Sequence, residues 1–427
     1  MALTRRSAVL VLVLAIAVLV SPAPLPTLLV GNIAVLLLVG VDVLLAASPS
    51  GLVLSRQVPP TGRLGEALPV TLLVQNPGPR RLRALIRDAW PPSAGLQPAT
   101  ARLDVPPGER RRLSAVLTPT RRGDRTAISV TVRAAGPLRL AARQRQRVVP
   151  GRVRVLPPFR SRRHLPEKLV RLRIVEGMVE TRGYGRGTEF DSLREYVPGD
   201  DVRAVDWRAS ARRETLAVKV YRPERDRRII IVLDTGRTSA ARVGDEPRLD
   251  AALDAALLLA ALAAKAGDRV DLLAHDALPR ALVQRGTIAT FSEAMAGLEP
   301  ALLEVDHAGL VSQVMRLASR RALVVLLTDL VPPVVEEGLL PSLAPLVSRH
   351  QLLVGAVTDP RVEELAGARG EAAALYGAAA AERTAAERAR VSTLLRARGV
   401  EVVEAPPGRY ASAVSDAYLA LKAAGRL

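Results

Sequence analysis

Residues 228–234 read Arg-Ile-Ile-Ile-Val-Leu-Asp, a run of aliphatic side chains opened by a cation and closed by a carboxylate. A short, wholly apolar run keeps no polar face for water, so it predicts a strand covered on both sides. Further apolar runs follow at 270–274, 322–327, 352–357 and 400–403, with helical segments such as 249–266 and 310–319 between them. Strand alternating with amphipathic helix predicts a doubly wound α/β domain over 228–427, with helices on both faces of a mostly parallel sheet.

Sheets of this kind bind ligands beyond the carboxyl ends of their strands, where strand order reverses. Four of the strands run out into aspartates, Asp234, Asp276, Asp329 and Asp359, which lines carboxylates along one edge. Carboxylates so placed offer oxygen donors to a ligand at that edge. The same aspartates serve equally well as helix caps or turn closers. Both readings stand on sequence.

Upstream, residues 183–220 read GYGRGTEFDSLREYVPGDDVRAVDWRASARRETLAVKV, and with Tyr221 the stretch carries five of the chain's eleven aromatic residues. Acidic residues alternate with arginines on either side of a Pro198-Gly199-Asp200 turn. The density of opposite charge beside large rings predicts a folded, cross-linked polar surface, with a helix-turn-helix face rich in weak ion pairs as the plain alternative. Trp207 and Arg194 are expected to be structural, the indole buried against the sheet and the guanidinium forked onto a carboxylate. Gly183, Gly185 and Gly187 lack the Lys-Ser/Thr of a phosphate loop, so the chain is not expected to hydrolyse ATP.

The wording from Gly187 to Arg212, G-x-E-F-x-x-L-R-E-Y-x-P-G-D-D-x-R-x-x-D-W-x-x-x-A-R, resembles the signature of the domain-of-unknown-function-58 family. Its signature or interaction residues fall here on Glu189, Phe190, Arg194, Tyr196, Gly199, Asp200, Asp201, Arg203, Asp206, Trp207 and Arg212. The resemblance implies a von Willebrand factor A-like (Rossmann-like) α/β domain in a bacterial protein, often encoded beside a MoxR-type AAA+ ATPase. It also implies a Mg²⁺ site of the form D-x-S-x-S, completed by a threonine from a second loop and a later aspartate. The first motif reads Asp234-Thr235-Gly236-Arg237-Thr238 and Asp329 supplies the later carboxylate, so the resemblance implies Asp234, Thr238 and Asp329, with water, as the ligands of a Mg²⁺ ion. Gly236 removes one hydroxyl, Arg237 puts a cation in the loop unless it swings outward, and the second loop offers Asp306 and His307 in place of threonine.

Before the signature region (151–227), residues 51–150 set short alternating runs at 70–75, 82–88, 112–117 and 127–133 between Pro and Gly turns, the pattern of a small antiparallel β-sandwich. Residues 1–50 hold two apolar runs, 8–20 and 27–47, broken at Ser21-Pro22-Ala23-Pro24. Forty residues at about 1.5 Å each make two crossings of a core about 30 Å thick, so a transmembrane helical hairpin is expected. A cleaved signal peptide is disfavoured, because Pro24 would follow the plausible cleavage site after Ala23. Arg5, Arg6, Arg56 and Arg63 flank the pair, which puts both ends and the bulk of the chain in the cytoplasm of a bacterial cell, against its membrane. Asp42 in the second run is expected to snorkel to the interface.

The 427 residues contain no cysteine, which excludes disulfides, a thiolate nucleophile and Cys-ligated zinc. The four histidines are scattered without metal-ligand spacing, and no nucleophile elbow or HExxH pattern occurs. A net charge of +19 attracts anionic lipid or nucleic acid in principle, but no nucleic-acid module is present and that partner is not expected. The expectation is a non-enzymatic, membrane-anchored adaptor acting with a MoxR-type ATPase in assembling or remodelling other proteins. The alternative is a divalent-metal-dependent hydrolase on the aspartate edge.

Overall fold

The computed structural model describes residues 2–182, 189–198, 200–213, 215–222, 227–367 and 372–427; side chains at 2–3, 178–182, 189–192, 213 and 220–222 lie outside that description. The chain divides into two units, Met1–Pro158 and Phe159–Leu427.

In the first unit, helices α1 (Arg5–Val20) and α2 (Pro24–Leu45) are built from leucine, valine and alanine. Their large apolar side chains stay mostly exposed, including Leu12, Leu19, Leu29 and Leu36. Among the described residues, α2 alone is long and apolar enough to cross a membrane. At 16 residues, α1 reaches about 24 Å, short of a hydrocarbon core about 30 Å thick. The pair of crossings expected from sequence thus reduces to one helix of spanning length.

Two antiparallel sheets follow. One orders Ala2–Leu3, Ala141–Arg147, Ser129–Ala135, Leu82–Ala89 and Thr100–Val105; the other orders Val53–Gln57, Leu68–Gln75, Arg110–Leu117 and Leu96–Gln97. Period-two patterning sorts the faces: Leu72, Val74, Leu82, Ala84, Ile86, Val130 and Val132 meet in one core.

Asp42 corrects the snorkelling expectation. Its side chain is fully buried and accepts the backbone N–H groups of Leu138 at 2.7 Å, Leu140 at 2.7 Å and Ala141 at 2.9 Å. Three donors satisfy the oxygens of a carboxylate taken wholly out of water. A Cβ on Gly136 would lie 2.2 Å from Asp42 Oδ1, so the turn can close over the carboxylate only with glycine there. The other end of the helical pair meets the same turn, where Thr4 donates its backbone N–H to Leu140 O at 3.1 Å and its hydroxyl to Arg139 O at 2.6 Å.

The second unit is built on a six-stranded sheet of β1 (Arg228–Asp234), β2 (Arg269–His275), β3 (Pro279–Val283), β4 (Leu323–Thr328), β5 (Gln351–Val357) and β6 (Glu401–Ala405), in the order β3-β2-β1-β4-β5-β6. All pairings are parallel except that of the edge strand β3. Along β1, Ile229, Ile231 and Leu233 face a core with helices α3 (Arg248–Lys265) and α6 (Pro407–Ala423). Ile230 and Val232 face the other core, which takes in α4 (His307–Leu317) and Val391 and Leu395 of α5 (Ala372–Ala397). Each such aliphatic side chain, fully buried, contributes about 1.5–3 kcal/mol. The chain runs from β1 outward to β2 and then returns to the far side at β4, so the order reverses between β1 and β4.

Candidate functional site: the aspartate edge and the signature hairpin

At that reversal Asp234 ends β1 and Asp329 directly follows β4, both buried. Asp234 Oδ2 accepts the Thr328 hydroxyl at 2.5 Å and the Thr238 hydroxyl at 3.2 Å, while Oδ1 accepts the Gly236 N–H at 2.7 Å. Burial pushes the Asp234 carboxyl up from its ordinary pKa, and these hydrogen bonds pull it only part of the way back. Thr328, which sequence reasoning passed over, thus supplies the hydroxyl not found in the second loop. Its one signal was its place immediately before Asp329.

Asp329 is occupied differently. Arg388 Nη1 reaches its Oδ1 at 2.9 Å, together with the Leu330 N–H at 2.9 Å, and Arg248 Nη1 seats on its Oδ2. Arg388 also meets Glu404 at 3.3 Å, and the Ser392 hydroxyl donates to Glu404 at 2.5 Å. Nothing in the local sequence pointed to either arginine: Arg388 comes from α5, far along the chain from Asp329.

The resemblance implied a divalent cation here, and the donors as arranged do not fit one. Both Asp329 oxygens already carry guanidinium or amide donors, and Asp234 is turned toward two hydroxyls and an amide. A Cβ on Gly236 would stand 2.5 Å from Val305 Cγ2, so the loop has no room for the missing serine. Among the described residues no three His, Cys, Asp or Glu side chains converge as a metal would need. Arg237 does swing outward, pairing with Glu304 at 2.6 Å. Asp306 caps α4 through the Gly309 N–H at 2.9 Å, and Asp359 caps the helix Pro360–Ala366 through the Arg361 N–H at 3.0 Å. Asp276 takes the Arg280 guanidinium at 2.5 Å and the Thr235 hydroxyl at 3.2 Å. His307 lies near enough to Asp234 for that charge to raise its pKa, yet burial is the larger influence and lowers it.

The signature region is a β-hairpin, Glu189–Glu195 paired antiparallel with Ala217–Arg222, carrying a short helix Trp207–Arg213. It is not the helix-turn-helix face. Its acids hold it together: Asp200 takes Arg194 Nη2 at 2.5 Å and the Val197 N–H at 2.9 Å, and Asp201 caps a turn through the Arg203 N–H at 3.0 Å. Asp206 accepts from the N–H groups of Arg208 at 3.1 Å and Ala209 at 3.0 Å and faces Lys219 at 3.2 Å. Those bonds, Arg194 foremost for Asp200 and the Ala209 N–H foremost for Asp206, hold both carboxyls below the usual range. Arg194 reaches Asp200 through Nη2 and donates from Nη1 to Glu195 O at 3.1 Å, both within the hairpin. Trp207 is not buried: its side chain is 66% exposed, and Val197 and Val202 of the same region are exposed too, whereas Val205, Ala217 and Val218 are buried. Tyr196 is half-buried, and Arg203 and Arg212 are exposed. Gly183, Gly185, Gly187 and Gly199, and the side chains of Glu189 and Phe190, lie outside the described residues.

Comparison with known proteins adds little chemistry. The "Uncharacterized protein Rv1480" of Mycobacterium tuberculosis is 29% identical over 192 residues, covering 42% of this chain and 58% of its own length, and YeaD of Bacillus subtilis is 42% identical over 43 residues, 10% of this chain and 11% of that one. The chain thus spans 58% of the mycobacterial relative it matches. Among solved structures, the CARDB domain of the PF1109 protein from Pyrococcus furiosus aligns with 25% of this chain and 87% of its own at 14% identity and TM-score 0.19. A part of alpha-2-macroglobulin from Escherichia coli aligns with 27% of this chain and 18% of its own at 21% identity and TM-score 0.20. Values this low establish no shared fold. What is established is a family match: residues 192–398, from the signature hairpin through the sheet, match the family described as "Protein of unknown function DUF58".

Proposed function

We propose that this protein is a membrane-anchored, non-enzymatic adaptor that engages a MoxR-type AAA+ ATPase through its signature hairpin, and that its sheet domain is of the von Willebrand A type. One observation carries the docking assignment: Trp207, the largest apolar side chain of the signature, is turned to solvent, and Val197, Val202, Arg203 and Arg212 of the same region are exposed as well. Exposed tryptophan flanked by arginine is the composition of a binding hot spot, and it suits a partner offering an apolar pocket with an acidic rim. The self-occupied Asp329 argues against the other route, a partner carboxylate completing a metal site.

Anchoring through α2, the helix of spanning length, with the bulk of the chain on the cytoplasmic side, is supported by the apolar side chains that α2 leaves exposed. Protease added outside intact cells should leave the bulk of the chain undigested; digestion would reverse the orientation and remove a cytoplasmic ATPase from reach.

The docking test is capture of the ATPase by Trp207→Ala. Capture should fall at least tenfold with an unchanged Tm, since the indole buries little. Retained capture by Trp207→Ala, or loss of capture by Asp234→Asn alone, would overturn the assignment.

A further inference from the structure

We infer that the opposite rim of the sheet, at the amino ends of β1, β2 and β4, is a binding site for a small, multiply charged phosphate anion. A groove of about 680 Å³ opens there, lined by Arg227, Arg228, Arg269, Arg285, Arg320 and Arg321. The six come from separate stretches of chain: two lead into β1, one opens β2, one follows β3 and two precede β4. Convergence is therefore a product of the topology and is invisible as a charge run. Like charges brought around one concavity repel, and their summed field attracts an anion with several charges most strongly.

The groove is built, not merely a basic surface. Fully buried Asp271 fixes Arg228, whose Nε meets Oδ2 at 2.5 Å and whose Nη1 also bonds Leu317 O. Oδ1 of the same aspartate takes the backbone N–H of Arg285 at 2.7 Å. Arg285 sits at a φ of 49°, the left-handed region that side chains other than asparagine rarely adopt, and that bond holds it there. Elsewhere in this unit arginines sit on carboxylates, as Arg160 does on Glu246 and Arg390 on Glu336. Among the described residues no carboxylate pairs with Arg285, Arg320 or Arg321. Guanidinium groups bind phosphate oxygens through paired N–H donors, and the volume is that of a small-molecule site. The ligand is accordingly a chain or cluster of phosphates, from a free polyphosphate or from a lipid headgroup bearing several phosphates.

The test uses the full chain in neutral detergent, titrated calorimetrically with inorganic tripolyphosphate and, separately, with soluble glycerophosphoinositol bisphosphate. Wild type should bind at least one probe more tightly than sulfate. Arg285→Ala combined with Arg320→Ala should weaken it at least tenfold, leaving the melting temperature unchanged because Arg228 and Asp271 are untouched. Arg361→Ala combined with Arg409→Ala, exposed arginines after β5 and β6, should stay within twofold of wild type. Binding of tripolyphosphate assigns a free source, and binding of the headgroup alone assigns lipid. No binding above sulfate, or equal loss in both double variants, overturns the site.

Discussion

The two rims of the parallel sheet carry opposite charge and solve opposite problems. At the carboxyl rim Asp234, Asp276 and Asp329 are buried, and the chain supplies their partners: hydroxyls and an amide for the first, Arg280 for the second, Arg248 and Arg388 for the third. At the amino rim the arginines gather around open space, with buried Asp271 holding Arg228 in place. The lesson is that the sign of a cluster says less than whether its charges are already matched. A matched acidic rim contributes to the fold; a basic one in which, among the described residues, no carboxylate pairs with Arg285 or Arg320 is left to bind.

The comparison breaks most readily at Asp329. Asp329→Ala leaves Arg248, mostly buried, without its seat and Arg388 with Glu404 as its remaining carboxylate. Removing one side of a buried pair costs about 3–5 kcal/mol, so the Tm should fall by roughly 10 °C in a thermal melt. A loss near zero would mean the arginines do not depend on it. A smaller effect is expected at the other rim. Asp271→Asn keeps an acceptor for the Arg285 N–H but removes the charge facing Arg228, and denaturant unfolding should show a loss of about 2 kcal/mol.

The pH dependence sharpens the contrast further. Burial holds Asp234 above the carboxylate value of about 3.9 found in unfolded chains. Between that value and its raised native one, the folded chain keeps a proton that the unfolded chain has lost. Stability from this group is therefore present below the window and falls as pH rises through it. Asp234→Asn should flatten that slope in melts taken from pH 4 to pH 7, and an unchanged slope would show that Asp234 is ionised throughout. Last and smallest is the response to Mg²⁺. An ion at a hundred times its Kd would add about 2.7 kcal/mol, whereas the pairing of Asp329 leads us to expect no resolvable rise in Tm with millimolar Mg²⁺.

Much of the architecture was legible in the text. The aliphatic runs at 229–233, 270–274 and 352–357 fall within β1, β2 and β5, because a strand covered on both faces has no choice but to be apolar throughout. The edge strand Pro279–Val283 was missed, being only partly buried and so lacking that signal. Asp42 read as a snorkelling acid since its three donors belong to a turn far along the chain. Trp207 read as buried since tryptophan usually is, whereas the folded region leaves it mostly exposed.

By itself, then, the order of amino acids determined the alternation of strand and helix, the apolar α2 and the row of aspartates at strand ends, all of which depend on neighbours within a few positions. Tertiary structure alone decided which charges are satisfied. Arg388 comes to Asp329, the turn at residues 136–141 to Asp42, and six arginines to one groove only when strands order themselves in the sheets. The physical reason is range: backbone propensity and burial pattern act locally along the chain, whereas an ion pair or a cavity is a property of distance in space.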